Sequence, residues 1–89
     1  MHTIWKEQLT INDFQEIEMP IGSKILYAAT QDAVPCIWFV CNPFEEKVKR
    51  KIYIHGTGHD IIDPNAEYIG TVFIAGDQLV FHVFDGGEV

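Results

Sequence analysis

Apolar and polar residues alternate along most of the chain in short stretches, and turn-forming residues separate these stretches. The clearest of them span residues 24–30, 34–41, 48–55, 67–75 and 79–84. Alternation with a period of two is typical of a β-strand with one buried face, whereas the unbroken apolar run at 34–41 is typical of a strand covered on both faces. No stretch shows the period of an amphipathic helix. The pattern therefore predicts a chain built from β-strands.

Two weaker segments come before these stretches. Residues 3–11 carry apolar side chains at even spacing and predict a first strand. Residues 14–19 predict a second, extended segment that ends at Pro20. Six to seven short strands with turns between them predict an all-β fold, either a small antiparallel sandwich or a partly open barrel, in a single domain over residues 1–89.

Several positions add detail to this outline. Gly76-Asp77-Gln78 separates the last two strands and predicts a hairpin turn. Gly70 interrupts a strand and predicts a bulge or a close packing point. Arg50 falls on the apolar side of the 48–55 strand and breaks its alternation. Residues 86–89 are expected to fray.

Charge is strongly asymmetric along the 89 residues. Thirteen acidic side chains outnumber six basic ones and give a net charge of −7, yet four of the bases lie within residues 45–51. An acidic surface repels nucleic-acid phosphates and anionic membranes, so we expect direct binding to neither. The charge favours a protein partner with a basic surface, although acidity also serves simply to keep a small apolar domain soluble.

The two cysteines favour a reducing environment. On one strand, Cys36 and Cys41 would lie about 16 Å apart, well beyond the roughly 7 Å between Cα atoms that a disulfide allows. Charged residues throughout residues 1–20 argue against a secretory signal, and no apolar run reaches the roughly 18 residues of a membrane span. These observations predict a cytoplasmic protein.

The chain changes character at residues 52–60, where an alternating strand leads into two glycines with histidine and aspartate around them. His55, His59 and Asp60, with Asp63 nearby, are side chains that zinc and related ions use as ligands. The alternative is that the glycines supply positive φ and the aspartates make side-chain turns. We expect no metal and no cofactor, and the metal cluster is the minority hypothesis.

The same segment has features of an anion site. Lys49, Lys51, Tyr53 and His55 share one parity of the strand and would present a cationic, aromatic face. The strand leads into Gly56-Thr57-Gly58-His59, whose glycines would let backbone N–H groups approach a small anion. The alternative is an ordinary connecting loop after a solvated strand face. These eight residues are the candidate site for a ligand, a small anion included, or for a partner.

Catalysis has little support in the sequence. Ser23 is the only serine, and no histidine lies near it in the chain. Cys36 and Cys41 lie in an apolar run, where cysteine behaves as a small hydrophobic residue. His82 lies between apolar neighbours and is expected to be a core or half-buried histidine rather than a base. We therefore predict that the protein is not an enzyme.

Large apolar side chains are numerous for so small a domain. They include Trp5, Trp38, Phe39, Phe44, Tyr53 and Phe73. If the domain cannot bury all of them, some would form an interface between copies, which predicts a homo-oligomer. The alternative is that they fill both faces of a thin sandwich.

Short motifs spread over nearly the whole chain form a recognisable set. They are Ile4-Trp5-Lys6, Met19-Pro20, Gly22, Lys24-Ile25-Leu26, Ile37-Trp38, Gly56-Thr57-Gly58-His59, Tyr68-Ile69-Gly70-Thr71-Val72 and Val80-Phe81-His82-Val83-Phe84. On these motifs the chain resembles a family of small uncharacterised proteins from phages, prophages and bacteria. The resemblance implies a short stand-alone domain in a phage or mobile-element setting, and it implies no particular activity, cofactor or catalytic residue.

The acidic charge, the lack of a catalytic pattern and the resemblance together predict a small non-enzymatic binding domain. In a phage setting we expect it to inhibit a host defence factor in the cytoplasm of the bacterial host, by blocking a nucleic-acid-binding surface or by sequestering a signalling nucleotide. One alternative is a nucleotide-, anion- or metal-binding domain centred on the 56–59 loop, with hydrolysis as an added activity. Another is a phage structural or assembly accessory.

Overall fold

The computed structural model describes residues 1–89, which form seven β-strands and no helix. The strands are β1 (Thr3–Gln8), β2 (Phe14–Pro20), β3 (Lys24–Gln31), β4 (Val34–Cys41), β5 (Lys47–Gly56), β6 (Glu67–Ile74) and β7 (Leu79–Glu88). They build a three-stranded and a four-stranded sheet that do not close into a barrel. The predicted all-β fold is confirmed, and of the two predicted forms the chain adopts the sandwich.

All strand pairs are antiparallel, and the strand orders are β1-β4-β3 in one sheet and β2-β5-β7-β6 in the other. β4 is therefore central in the first sheet, and β5 and β7 are central in the second. The Cα atoms extend over 39 × 28 × 16 Å. The short dimension fits two sheets stacked about 10 Å apart.

The core lies between the sheets and follows the alternation of the sequence. Ile37 and Phe39 of β4 join Ile52 and Ile54 of β5 in one cluster of buried side chains. Burying a large apolar side chain stabilises a fold by about 1.5–3 kcal/mol, so this cluster is the main source of stability. Cys36, on the opposite face of β4, is buried as well. The prediction that this strand is covered on both faces is confirmed at that position.

β6 approaches β3 of the other sheet closely, and a glycine makes the approach possible. A Cβ atom at Gly70 would lie 3.2 Å from the carbonyl oxygen of Ala28. Nearby, Thr30 Oγ1 donates a hydrogen bond of 3.0 Å to the carbonyl oxygen of Phe73. The register of β6 against β7 also shifts at Gly70. The register shift confirms the predicted bulge, and the close approach to Ala28 confirms the predicted packing point.

Tight turns close the two hairpins β3–β4 and β6–β7. The first turn consists of Asp32 and Ala33, whose φ values are 52° and 64°. Positive φ at both central residues is typical of a type I′ turn, whose twist matches that of the flanking strands. The second turn joins β6 to β7 and confirms the hairpin predicted at Gly76-Asp77-Gln78.

An ion pair inside the sandwich joins Arg50 of β5 to Asp85 of β7. Nε and Nη2 of Arg50 donate to the two carboxylate oxygens of Asp85 at 2.9 and 2.7 Å. Nη1 donates to the carbonyl oxygen of Ser23 at 2.7 Å. The two charged side chains are only 12% and 9% exposed. The arginine that breaks the alternation of β5 thus connects β5, β7 and the turn between β2 and β3.

Asp85 stays ionised in spite of its burial. Burial by itself raises the pKa of this carboxyl group, but hydrogen bonds from Arg50 and from the Gly87 N–H, together with the charge of Arg50, outweigh burial and lower the pKa of Asp85 below its ordinary value. A carboxyl group whose pKa is lowered by folding stabilises the folded state above its unfolded pKa. That stabilisation is lost as the pH falls through the folded pKa.

The C-terminal residues belong to a strand, and the expectation that residues 86–89 fray is wrong. β7 continues to Glu88, whose Oε2 accepts a hydrogen bond of 2.8 Å from the Gly22 N–H. The Val89 N–H donates to the carbonyl oxygen of Lys49 at 2.9 Å. Glycine here supplies the positive φ (88°) of Gly87, next to a register shift between β5 and β7, rather than a loose tail.

Two further expectations concern the C-terminal end of β1 and the lack of a disulfide between the two cysteines. β1 ends at Gln8 rather than at Ile11, and the Leu9 N–H donates to the carbonyl oxygen of Pro35 at 2.8 Å. Cys36 and Cys41 are both free and both buried.

The chain contains no helix with the length and apolar character that a membrane crossing requires.

Replacing Asp85 with asparagine would remove the charge that balances Arg50 while keeping the shape of the side chain. Because breaking a buried ion pair costs about 3–5 kcal/mol and this pair retains some contact with water, we expect the free energy of unfolding at pH 7 to fall by about 2 kcal/mol. Urea denaturation at pH 7 and pH 3 measures the effect, which should shrink at pH 3 because the same carboxyl group is then largely protonated in the unfolded chain.

A matched control is Asp77→Asn in the exposed turn between β6 and β7, which should change the free energy of unfolding by less than about 0.5 kcal/mol. Equal losses for Asp85→Asn at the two pH values would contradict the role given to the Asp85 charge.

Candidate functional site

The candidate site lies on the outer face of the four-stranded sheet, near the end of β5. The core side chains of β5 and β7, such as Ile54 and Val83, point inward, so their chain neighbours point outward. In the register of the sheet, His55 lies opposite His82, and Tyr53 lies opposite Phe84. Cross-strand neighbours on one face of a sheet are close enough to contact each other. The pairing of β5 with β7 therefore brings two histidines and two aromatic rings together.

Aromatic side chains form a continuous row across this face. The ring centroids of Phe14 and Tyr53 are 5.3 Å apart, and those of Tyr68 and Phe84 are 5.7 Å apart. A Cβ atom at Gly86 would lie 2.5 Å from Cε2 of Tyr53, so the absence of a side chain there leaves room for the tyrosine ring. Tyr53 is consequently only 7% exposed, although it lies on the outer face.

His55 is buried within this row, with 2% of its surface exposed. Its ring stacks on Tyr53 with centroids 6.0 Å apart and packs against Phe84 at the same distance. The loop between β5 and β6 folds back over the sheet, and the Ile62 N–H donates to Nε2 of His55 at 3.5 Å. This long contact favours the tautomer that carries the ring proton on Nδ1. Nδ1 has no hydrogen-bond partner.

His82 differs from His55 because both of its ring nitrogens have partners. Nε2 lies 2.8 Å from Oγ1 of Thr57, and Nδ1 lies 3.0 Å from Oγ1 of Thr71. Oγ1 of Thr71 in turn lies 2.6 Å from the hydroxyl oxygen of Tyr68. The expected half-buried, satisfied histidine is confirmed. These bonds link the first residue of the loop to β6 and β7.

Two cavities lie on either side of the segment 56–59. The first, called the loop cavity below, has a volume of about 310 Å³. The residues of its wall that matter here are His55, Thr57, His59, Tyr68, His82 and Phe84. The second has a volume of about 300 Å³ and lies between the same segment and the start of β7 at residues 79–81. Gly56, Thr57 and His59 border both cavities.

The glycines of the loop have different roles. Gly58 has a φ of 88°, which confirms the predicted need for a positive φ at this position. Gly56 does not have a positive φ, so that part of the expectation is wrong. Instead, a Cβ atom at Gly56 would lie 2.9 Å from Cε1 of His59, and the His59 N–H donates to the carbonyl oxygen of Gly56 at 3.0 Å. Glycine at position 56 therefore lets the imidazole of His59 pack directly against the backbone.

The predicted cationic, aromatic strand face is formed only in part. Lys49, Lys51, Tyr53 and His55 do lie on one face, but Tyr53 and His55 are buried by neighbouring rings and by the loop. The two lysines lie opposite glutamates of β2 in the register, Lys49 opposite Glu18 and Lys51 opposite Glu16. Lys51 is about 16 Å along the strand from Gly56. The lysines and the 56–59 segment therefore do not form a single cationic patch.

The residues of the metal hypothesis are not brought together as a ligand set. No group of three histidine, cysteine or carboxylate side chains lies close enough to hold one ion. Asp63 instead makes a turn, because its Oδ1 accepts a hydrogen bond of 2.9 Å from the Asn65 N–H. The alternative role predicted for this aspartate, a side-chain turn, is confirmed.

The large apolar side chains divide between the interior and the surface. Phe39 and Tyr53 are buried, Trp38 is half-buried, and Phe44 is 82% exposed. Trp5 and Phe73 are exposed as well. The sandwich therefore does not bury all of the set.

Sequence reasoning missed Tyr68, Thr71 and Phe84 as parts of the site. Phe84 lies two residues after His82, so the alternation of a strand already places the two side chains on one face. It identifies a site only once β7 is known to pair with β5, and that pairing joins residues about thirty positions apart in the chain.

Substituting phenylalanine for each of the two site histidines should separate their roles. His55→Phe removes a buried N–H that has no acceptor, so the free energy of unfolding should stay the same or rise by up to about 1 kcal/mol. His82→Phe removes the partner of two hydroxyl groups, so the free energy of unfolding should fall by about 1–2 kcal/mol. Urea denaturation compares the two variants, and a larger loss for His55→Phe would refute the assigned hydrogen bonds.

Comparisons with known proteins add a family and no relative of known activity. A search of the curated proteins found no match to the chain, and a search of the solved structures found none either. A family model covers nearly all of the sequence, from residue 1 to residue 88. The resemblance to a family of uncharacterised proteins is thereby supported, whereas the phage setting rests on the motifs alone. The chain belongs to the family described as a domain of unknown function, DUF7352.

Proposed function

We propose that the protein is a non-enzymatic binding domain that holds a small ligand in the loop cavity. The observation that carries this proposal is His55, a buried imidazole in the cavity wall whose Nδ1 has no hydrogen-bond partner. Buried polar groups in folded proteins are nearly always paired, so an unpaired one beside a cavity calls for an acceptor that enters from outside. Nδ1 itself is covered by neighbouring atoms, so a ligand in the cavity would supply that acceptor after a shift of the His55 ring or of the loop after β5.

The construction of the cavity suits binding. One wall is the rigid sheet, with Tyr68, His82 and Phe84 on neighbouring strands, and the opposite wall is the loop after β5. The bonds from His82 to Thr57 and Thr71 hold the loop against the sheet. A site that is largely formed before the ligand arrives loses less conformational entropy on binding.

The chemistry of the nearby groups favours binding over catalysis. Thr57 hydrogen-bonds to His82, but the other nitrogen of His82 faces a neutral hydroxyl rather than a carboxylate. An imidazolium formed during catalysis would therefore lack a negative partner. Away from the cavity, in the core at the end of β4, burial raises the pKa of the Cys41 thiol, which disfavours the reactive thiolate.

Such a domain would act by sequestering its ligand. In the phage or mobile-element setting that the motifs imply, the ligand would be a small molecule of the bacterial host. Binding in the host cytoplasm would lower the free concentration of that molecule and so inhibit the host factor that depends on it.

Chemical-shift mapping tests the cavity directly. Amide spectra would be recorded with separate pools of nucleosides, amino acids, sugars and carboxylic acids, each compound at about 1 mM so that weak binders are seen. At least one pool should shift the amides of residues 56–62 and 68–71. His59→Ala should weaken the binding by about fivefold or more, and the matched control His2→Ala, at an exposed histidine outside the cavity, should leave it unchanged. Shifts in no pool, or equal effects of the two variants, would count against the proposal.

A second candidate function is direct binding to a basic surface of a host protein. Because Arg50 and Asp85 neutralise each other inside the sandwich, the entire net charge of −7 is carried by the other ionisable groups. Long-range attraction of this kind speeds association with a basic groove. In this form the protein would inhibit a host defence factor by covering its nucleic-acid-binding surface.

Affinity capture from host lysate at two salt concentrations tests this second function. At about 0.05 M salt the charges act over more than 10 Å, whereas at about 0.5 M they are largely screened. Capture of a basic host protein should fall by about tenfold or more between the two conditions. Salt-independent capture would argue against an electrostatic mechanism. A stable oligomer that binds neither ligand nor host protein would instead favour a structural or assembly role.

A further inference from the structure

We infer that the loop cavity takes an uncharged planar heterocycle of nucleobase or nucleoside type, rather than a phosphate-bearing anion. The inference rests on the proposed function, because it names the class of ligand for the same cavity. Three features of the cavity carry it: the shape of its walls, the hydrogen bond that His55 lacks, and the charge of its surroundings.

The walls favour a flat ring. Tyr68 and Phe84 contribute aromatic rings from the sheet, and His59 contributes an imidazole from the loop. Heteroaromatic bases stack favourably on such side chains. The volume of about 310 Å³ lies at the small end of the range for ligand pockets. The cavity therefore suits a ligand of one or two rings with a small substituent.

The hydrogen bond that is missing in the protein specifies an acceptor on the ligand. The 3.5 Å contact from the Ile62 N–H to Nε2 of His55 favours the tautomer that carries the ring proton on Nδ1. A ring nitrogen or exocyclic oxygen of a nucleobase can accept from Nδ1, whereas a hydrocarbon ring cannot. A buried donor that is left without a partner destabilises the complex, so the site would select a heterocycle over a purely apolar ring.

The charges around the cavity disfavour phosphate. No lysine or arginine contributes to its wall. Lys49 and Lys51 lie toward the other end of β5 and face glutamates of β2. The ionisable groups that the loop itself adds are the carboxylates Asp60 and Asp63, together with His59. Since like charges repel, each phosphate added to a nucleoside should weaken its binding.

Calorimetric titration of the intact chain with four nucleosides and their 5′-mono- and triphosphates tests this order. At least one of adenosine, guanosine, cytidine and uridine should bind. The dissociation constant should rise about threefold or more from that nucleoside to its monophosphate, and rise again to its triphosphate. His55→Phe should weaken nucleoside binding about tenfold, whereas His2→Phe, the same change at an exposed histidine, should have no effect.

A second pair of variants covers the case in which His55→Phe does not fold. Tyr68→Ala removes an aromatic wall and should weaken the binding of the nucleoside about tenfold. Tyr68→Phe keeps the wall and should retain the affinity within about threefold.

The outcomes separate this inference from the proposed function beneath it. If triphosphates bind more tightly than nucleosides, or if another class of compound shifts the cavity amides while no nucleoside does, the inferred ligand class is wrong and the proposed function stands. If no compound of any class shifts the cavity amides, both fail. Nucleoside binding that is unchanged by His55→Phe and by Tyr68→Ala would place the ligand elsewhere and overturn the inference.

Discussion

The rest of the structure depends on the burial of β5 from both sides. Its inner side chains, such as Ile52 and Ile54, belong to the core, and its outer side chains Tyr53 and His55 are covered by neighbouring rings and by the loop that follows. A central strand covered on both faces must place every polar group it carries next to a partner. Arg50 meets this requirement through Asp85 and Ser23, whereas His55 meets it only at Nε2.

The hydrogen-bonded groups along β5 mark two ends of the molecule, one with a buried ion pair and one with the loop cavity. At one end, Arg50 joins β5 to β7 and to the β2–β3 turn, and Glu88 adds a bond to Gly22. At the other end, His82 joins the loop to the sheet through two hydroxyl groups. At the end with the ion pair, these groups find their partners within the chain. The other end surrounds the loop cavity, and Nδ1 of His55 has no hydrogen-bond partner there. This difference is the physical reason for proposing the function at that end.

Local sequence patterns were sufficient for most of the strands, the hairpin between β6 and β7 and the bulge at Gly70, because these features depend on alternation and on turn residues close in the chain. They were insufficient for the C-terminal strand, since Gly87 is needed there by its pairing with β5. The predicted site and the loop cavity share residues 55–59, but the predicted cationic face does not form one patch with them. Parity placed Lys49 and His55 on one face but could not show that Glu18 lies opposite the lysine or that the loop returns to bury the histidine.

The most direct test of the central claim is the protonation pattern of the His55 ring, read from a long-range proton–nitrogen spectrum of the labelled protein. Among the four histidines, His55 should carry its ring proton on Nδ1, and Nε2 should have the shift of an acceptor nitrogen. A ring proton on Nε2 of His55 would contradict the account, because Nδ1 would then be an acceptor and the cavity would call for a donor on the ligand.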